Sequence, residues 1–143
     1  MINFNRNPKV GFVASCFDLL HAGHCLMLKD AKNHCDYLVA ALQTDPTIDR
    51  PETKNKPILS LEERRILLES NKYVDEIIEY STEKELTEIL EKLLPDVRIL
   101  GSDYMGKTVN GGLYCKSFYY HCRDHDYSST NIRNRIFSEE SNK

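Results

Sequence analysis

The sequence lacks any long run of apolar residues, and this absence argues against insertion in a membrane. Its longest strongly apolar run spans residues 37–42, whereas a membrane-spanning helix needs roughly 20 such residues. The opening residues, MINFNRNPKV, also lack the apolar core of a secretory signal peptide. We therefore expect neither a membrane span nor secretion.

A Cys-x-x-Cys pair is also absent, although the chain has five cysteines. An odd number of cysteines without that spacing does not suggest a disulfide framework, and disulfides belong to oxidising compartments. We expect reduced thiols and a cytoplasmic location.

The chain has no excess of positive charge, because its formal net charge is −3. Nucleic acids and anionic membranes attract basic proteins, so neither is expected as the main partner. No internal repeat or low-complexity stretch interrupts the 143 residues. This length favours a single domain over residues 1–143, with a core from about residue 9 to 137 and polar tails at both ends.

Strand-like and helix-like segments alternate along the chain, which is typical of α/β proteins with a parallel sheet. Two helix starts carry a capping-box pattern, Ser60 with Glu63 and Thr82 with Glu85. The expected fold is a Rossmann-like, doubly wound, five-stranded parallel sheet with helices on both faces. Strands are expected at 9–14, 36–42, 74–79, 97–100 and 117–122, and helices at 23–34, after 60, after 82 and at 129–137.

Two histidines follow the first expected strand, where such folds bind their ligands. His21 and His24 are three residues apart at the start of a helix and therefore share one face. Gly23 between them permits close approach of a ligand, and the helix start supplies free N–H groups. This arrangement predicts a polyphosphate site, although an H-x-x-H pair is also compatible with a metal site or with surface histidines.

A second group of polar residues surrounds the last expected helix. Arg123 can pair with a phosphate, and the hydroxyls of Ser128, Ser129 and Thr130 can bind one at the helix start. The same three residues also suit a simple helix cap.

Other candidates lie in loops at the ends of expected strands. Asp18 can orient phosphates or a magnesium-bound water, or cap the helix, and Asp103 can contact the nucleotide or cap a turn. A long loop before Ser60 carries Arg50, Lys54 and Lys56, which form either a phosphate clamp or a solvated charge cluster. A zinc site built from His and Cys between 115 and 125 is not expected, because the spacing matches no standard finger.

The ten residues Ser15-Cys16-Phe17-Asp18-Leu19-Leu20-His21-Ala22-Gly23-His24 resemble the GTFDLLHxGH signature of the cytidylyltransferase-like, HIGH-type nucleotidyltransferases. The stretches 61–76, 101–107 and 123–130 resemble three further motifs of that family in the same order. Ser15 and Cys16 replace the usual Gly and Thr, and Asp126 replaces a Gly. The glycerol-3-phosphate cytidylyltransferases match best.

The resemblance implies an enzyme that transfers CMP from CTP, with Mg²⁺, to a small phosphorylated acceptor such as glycerol 3-phosphate and releases pyrophosphate. It also implies a homodimer. The residues to which it gives a catalytic role are His21, His24, Lys56, Arg123 and Ser129. Those to which it gives a nucleotide-binding role are Ser15, Cys16, Phe17, Asp18, Gly23, Lys54, Arg64, Gly101, Asp103, Ser128 and Thr130.

Three alternatives stay open at this point. An ATP-using adenylyltransferase acting on a sugar phosphate of the heptose 1-phosphate type is the main one, although Arg123, five residues before Ser128, is typical of CTP users in the family. Phosphocholine or phosphoethanolamine is another acceptor of the same chemistry. A nucleotide-binding regulator without turnover is supported only by the changed residues Ser15, Cys16 and Asp126.

Overall fold

The computed structural model describes residues 7–143 and contains one five-stranded sheet. Every pair of neighbouring strands is parallel, and the strand order is β3-β2-β1-β4-β5. The expected Rossmann-like α/β fold is therefore confirmed. The strands are β1 (Val10–Ser15), β2 (Tyr37–Gln43), β3 (Glu76–Tyr80), β4 (Val97–Gly101) and β5 (Phe118–His121), and the helices are α1 (Ala22–Lys32), α2 (Leu61–Glu69), α3 (Glu83–Leu93) and α4 (Ser129–Ser141).

Helices cover both faces of the sheet because alternate strand residues point to opposite sides. On one face, Leu28 of α1 and Leu68 of α2 pack with Leu38 and Ile99. On the other face, Leu86 and Leu90 of α3 belong to a second buried cluster. The last six residues of β2 are buried, as expected for a central parallel strand.

The helix starts follow the expected capping chemistry, with one difference. Ser60 and Glu63 form the reciprocal capping box of α2. Thr82 accepts from the backbone N–H of Glu85, but the Glu85 carboxylate accepts from the N–H of Ser81 instead of Thr82. The second capping box is therefore only half formed.

The largest error in the expected boundaries concerns α4, which continues to Ser141 instead of ending near residue 137. The expected C-terminal polar tail is thus mostly helical, because a polar segment without Gly or Pro does not have to end a helix. The first six residues of the expected N-terminal tail lie outside the described residues. Two short 3₁₀ turns, Ser102–Tyr104 and Gly112–Tyr114, were not expected.

The strand order places a topological switch between β1 and β4. Strands β2 and β3 lie on one side of β1, and β4 and β5 lie on the other, so the loops after β1 and β4 diverge and leave a crevice. Within residues 7–143, no helix has the length and apolar character needed to cross a membrane.

Candidate active site

Two neighbouring clefts open at the carboxyl ends of β1 and β4, and Ser15 lines both of them. The smaller, which we call the histidine cleft, has a volume of about 170 Å³ and contains His21, His24, Arg123 and His125. The larger cleft has a volume of about 490 Å³. Its charged and amide side chains are Gln43, Arg50, Lys54, Glu83, Arg98 and Asn110. The structure thus brings most of the predicted basic groups to the switch point.

The two histidines cap the helix that carries them. The Nδ1 atom of His21 accepts a hydrogen bond from the backbone N–H of Gly23 at 3.0 Å. The Nδ1 atom of His24 accepts from the backbone N–H of His21 at 3.2 Å. Their ring centroids are 4.0 Å apart, so the first turn of α1 holds both imidazoles side by side.

These hydrogen bonds fix the tautomer of both rings. An Nδ1 atom that accepts a hydrogen bond carries no proton, so the proton of a neutral ring is on Nε2. Burial, the neighbouring His21 and Arg123 lower the pKa of His24 to about 4. Burial, His125 and Arg123 also lower the pKa of His21. At neutral pH both rings are therefore neutral and carry their proton on Nε2, and a hydrogen bond to the Leu19 backbone partly opposes the lowering of the His24 pKa.

Gly23 leaves room for two imidazoles. A Cβ atom at this position would lie 2.8 Å from Cε1 of His21 and 3.0 Å from Cε1 of His125. The glycine is therefore required by neighbouring side chains of the protein. His125 was not expected in this site, since its only sequence signal was its position between Arg123 and the serines that begin α4.

Arg123 extends into the histidine cleft from the segment after β5. A Cβ atom on Gly101 would lie 3.7 Å from Cδ of Arg123 and 2.5 Å from Oδ1 of Asp103. Gly101 therefore allows the loops after β4 and β5 to approach each other. The Asp103 side chain lies over this glycine, so its expected contact with a nucleotide stays a prediction.

The loop after β1 is tightly ordered. The Ser15 hydroxyl accepts from the backbone N–H of Phe17. Phe17 is buried, has a left-handed backbone with φ of 51°, and lies beside the His24 ring with centroids 5.5 Å apart. Burial raises the pKa of the Cys16 thiol, which keeps that side chain neutral at the edge of the larger cleft. Ser15 and Cys16 are thus placed at the clefts, whereas Phe17 is buried and packs against the His24 ring.

Asp18 has a different environment from the one expected for a phosphate or magnesium ligand. Its side chain is only 3% exposed and pairs with Arg133 of α4 at 3.1 Å. Its two carboxylate oxygens accept from the backbone N–H groups of Ile58 and Leu59. Asp18 therefore joins the loop after β1 to the end of the long loop and to α4.

Arg64 likewise differs from expectation, because it is buried at 2% exposure and contacts the protein instead of the clefts. Its guanidinium donates to four backbone carbonyls. The acceptors are those of Cys16, Gln43, Thr44 and Leu59. Arg64 thus holds together the loops after β1 and β2, and its predicted nucleotide contact is replaced by a structural role.

The serines at the start of α4 are also bonded within the protein. Ser128 is the N-cap and accepts from the backbone N–H of Asn131 at 3.0 Å. The Ser129 hydroxyl donates to the carbonyl of Asp18 at 2.9 Å. Thr130 is exposed in the first turn. The Ser129 hydroxyl would have to exchange its partner to donate to a phosphate, whereas the Ser128 hydroxyl accepts here and keeps its own proton to donate.

The structure separates the two loop lysines. Lys54 lines the larger cleft, as does Arg50. Lys56 is exposed and is not among the residues that line either cleft. Its charge acts instead on the nearby Asp45, whose pKa is lowered mainly by hydrogen bonds from Thr47. Lys54 is therefore the better candidate for the phosphate clamp.

Sequence reasoning missed the buried polar residues of the larger cleft. Gln43 ends the apolar strand β2, and Arg98 interrupts the apolar strand β4. A single polar residue within a buried strand was the available signal for both. Tyr80 also lines this cleft, and burial raises the pKa of its phenol, so it stays protonated.

Among residues 7–143 there is no group of three or more His, Cys, Asp or Glu side chains arranged to hold a metal ion. Mg²⁺ needs oxygen ligands and commonly keeps several waters while it binds substrate phosphates. The Asp18 carboxylate is already bonded within the protein, so the expected role of Mg²⁺ stays a prediction.

Comparison with known proteins shows which family and which fold the chain resembles. A family model described as cytidylyltransferase-like matches residues 12–135. The bifunctional protein HldE of Granulibacter bethesdensis is 37% identical over 103 residues, or 72% of this chain and 21% of that protein. The HldE of Helicobacter pylori strain HPAG1 is 34% identical over 132 residues, or 92% of this chain and 28% of that protein.

Among solved structures, a lipopolysaccharide core biosynthesis protein from Thermoplasma volcanium aligns with a TM-score of 0.59 and 23% identity. The alignment covers 94% of this chain and 90% of that one. At this identity, the likeness shows the fold alone. The chain spans about a fifth to just over a quarter of the length of the two HldE relatives.

Proposed function

The chain belongs to the cytidylyltransferase-like family, and from that premise we propose that it is a nucleotidyltransferase. It transfers a nucleoside monophosphate from a nucleoside triphosphate to a small phosphorylated acceptor. An oxygen of the acceptor phosphate bonds to the α-phosphorus as the bond to the β-phosphate oxygen breaks, and pyrophosphate leaves.

The single observation that carries this proposal is the pair of neutral imidazoles with occupied Nδ1 atoms. Their Nε2–H groups are fixed donors in a cleft that also contains Arg123. Such donors stabilise the negative charge that builds up on the phosphates in the transition state. Because the helix holds both rings in place before the reaction, little reorganisation is needed.

The two clefts suit two substrates. The triphosphate occupies the histidine cleft and the start of α1, and the acceptor occupies the larger cleft. Ser15, which lines both, lies at the point where the acceptor phosphate meets the α-phosphorus. Lys54 and Arg50 attract the acceptor phosphate, and no covalent enzyme intermediate is required.

The relatives favour ATP and a sugar phosphate over CTP and glycerol 3-phosphate. We therefore propose adenylyl transfer to a sugar phosphate as the specific reaction. Arg123 in the histidine cleft favours cytidylyl transfer as the second candidate, because an arginine at this place in the motif is typical of CTP users in the family.

The test is a pyrophosphate-release assay of the four nucleoside triphosphates, with Mg²⁺, against a panel of sugar phosphates, glycerol 3-phosphate, phosphocholine and phosphoethanolamine. We expect the fastest release with ATP and a sugar phosphate, and release at least about 100-fold slower from a His24→Asn variant. Fastest release with CTP would reverse the choice of nucleotide. Binding of a triphosphate without release from any acceptor would favour the regulator and refute the proposal.

A further inference from the structure

In the described part of the chain, the larger cleft contains two buried nitrogen donors without a protein partner. Gln43 and Arg98 are 4% and 5% exposed. Within residues 7–143, Nε2 of Gln43 and Nε of Arg98 are both buried and have no hydrogen-bond partner. Buried donors are normally paired, because an unpaired one loses its bonds to water without compensation. Two such donors in one cleft indicate a ligand that brings oxygen atoms.

The contrast between two buried arginines identifies which of them is free to bind. All three guanidinium nitrogens of Arg64 donate to backbone carbonyls. In the part of the chain that is described, Arg98 donates from Nη1 to the carbonyl of Asn110 at 2.6 Å, also contacts the Cys115 thiol, and has no ion pair with a carboxylate. An unpaired buried cation is costly unless a counter-charge is supplied.

The residues beside Arg98 do not provide that counter-charge. Burial raises the pKa of Tyr80 and of Cys115 even though the Arg98 charge opposes both shifts. Both side chains are therefore neutral at physiological pH. The carboxylate of Glu83 lies near Arg50 at 3.5 Å and accepts from Asn110 at 3.2 Å. The cleft lining thus combines three cations, Arg50, Lys54 and Arg98, with the single carboxylate of Glu83.

The three cations of the cleft belong to two different parts of the fold. Arg50 and Lys54 belong to the loop between β2 and α2, and Ser15 is the last residue of β1. Arg98 pairs in register with Phe12, three residues before Ser15. At about 3.3 Å per residue, the backbone of Arg98 is about 10 Å deeper than the sheet edge. An acceptor phosphate bound by Arg50 and Lys54 leaves the Nε atom of Arg98 and the amide of Gln43 to bind a further group with oxygen atoms.

From these contacts we infer that the acceptor carries a second oxyanion, a carboxylate or a second phosphate, held by Arg98 and Gln43 in the depth of the larger cleft. This inference rests on the proposed function, because it concerns the acceptor of the same reaction. The substrate class is then a phosphorylated sugar acid or a sugar bisphosphate. The Nε atom of Arg98 and the amide of Gln43 donate to its oxygens.

The test uses the full chain and matched acceptors that differ in the second oxyanion. Glucose 1-phosphate is compared with glucuronic acid 1-phosphate and glucose 1,6-bisphosphate, and glycerol 3-phosphate is compared with 3-phosphoglycerate. We expect kcat/KM to be at least ~30-fold higher for the members with a second oxyanion. Comparing the acceptors that carry a carboxylate with the bisphosphate also shows which of the two oxyanions is preferred.

The variant Arg98→Leu should lower kcat/KM on the acceptors with a second oxyanion more than on the matched acceptors without one, and so remove this preference. The control is Arg135→Leu, because Arg135 is an exposed arginine of α4. If Arg98→Leu does not fold, Gln43→Met removes only the amide and should lower kcat/KM on the preferred acceptor about 10-fold.

The outcomes separate the inference from the proposed function. Equal or faster turnover of the acceptors without a second oxyanion would overturn the inference and leave the proposed function intact. If no acceptor releases pyrophosphate, the proposed function fails, and melting temperature becomes the readout. A rise that is specific to the doubly anionic acceptors and lost in Arg98→Leu would then support the anion site, and no such rise would overturn it.

Discussion

Replacing His24 by asparagine in one variant and by glutamine in another separates the roles of the two nitrogen atoms of its ring. The side-chain oxygen of asparagine lies where Nδ1 lies in histidine, so His24→Asn keeps the acceptor for the His21 N–H at 3.2 Å and loses the Nε2–H donor. The side-chain nitrogen of glutamine lies near the place of Nε2, so His24→Gln keeps a donor and loses the cap.

The two variants are expected to differ in opposite ways, because His24→Asn loses activity and His24→Gln loses stability. Loss of one donor to the developing phosphate charge typically lowers kcat by about 10²–10³, which is roughly 3–4 kcal/mol. Loss of a helix cap costs about 1 kcal/mol of the free energy of unfolding. We therefore expect His24→Asn to fold with nearly normal stability and to lose at least about 100-fold in kcat. His24→Gln should retain more activity and be the less stable protein.

The assay is steady-state pyrophosphate release together with urea unfolding of each variant. His34→Asn is the matched control, because His34 stacks on Tyr119 at a centroid distance of 3.6 Å and lines neither cleft. The reasoning is refuted if His24→Asn is folded and turns over at a nearly normal rate. It is also refuted if the glutamine variant is the less active one while both proteins are stable.

Three further predictions concern the same region. Burial lowers the pKa of His24 from 6.5 to about 4, so the unfolded chain binds a proton at this residue before the folded protein does. The free energy of unfolding should therefore be full above pH 6.5 and fall by up to about 3 kcal/mol by pH 4. Urea unfolding measured against pH checks this, and the pH dependence should be weaker in His24→Asn. Gly23→Ala should keep the melting temperature within a few degrees but lower kcat at least about 10-fold, since the new Cβ displaces the rings of His21 and His125; unchanged kcat would contradict it. Arg64→Met should lower the free energy of unfolding by about 3 kcal/mol by leaving buried carbonyls unpaired; a loss under 1 kcal/mol would show that those loops are held by other contacts.

The sequence was a reliable guide wherever the decisive interactions are local. The capping box of Ser60 and Glu63 forms as expected, because its atoms are three residues apart. The histidine pair lies on one face at the start of α1 for the same reason. Helix ends were less certain, as the longer α4 shows, because a polar residue is acceptable both in an exposed helix and in a tail.

Motif membership by itself did not distinguish ligand contacts from structural contacts. Asp18 and Arg64 both belong to segments that resemble family motifs, yet their polar atoms bond to protein groups. Asp18 bonds to backbone 40 and 41 residues away, and Arg64 bonds to carbonyls 20, 21 and 48 residues away. Which polar atoms are already paired depends on these long-range contacts, and no local pattern contains them.

The sequence alone determined the parallel α/β architecture and the position of the histidines after the first strand, because hydrophobic periodicity and helix capping act over a few residues. Only the tertiary structure decided that Gln43 and Arg98, 55 positions apart in the sequence, line one cleft, where Nε2 of Gln43 and Nε of Arg98 have no partner among the described residues. The pairing of β1 with both β2 and β4 brings them to the same face of the sheet. Burial and hydrogen-bond partners are properties of that packing, and they decide which side chains are left to bind a substrate.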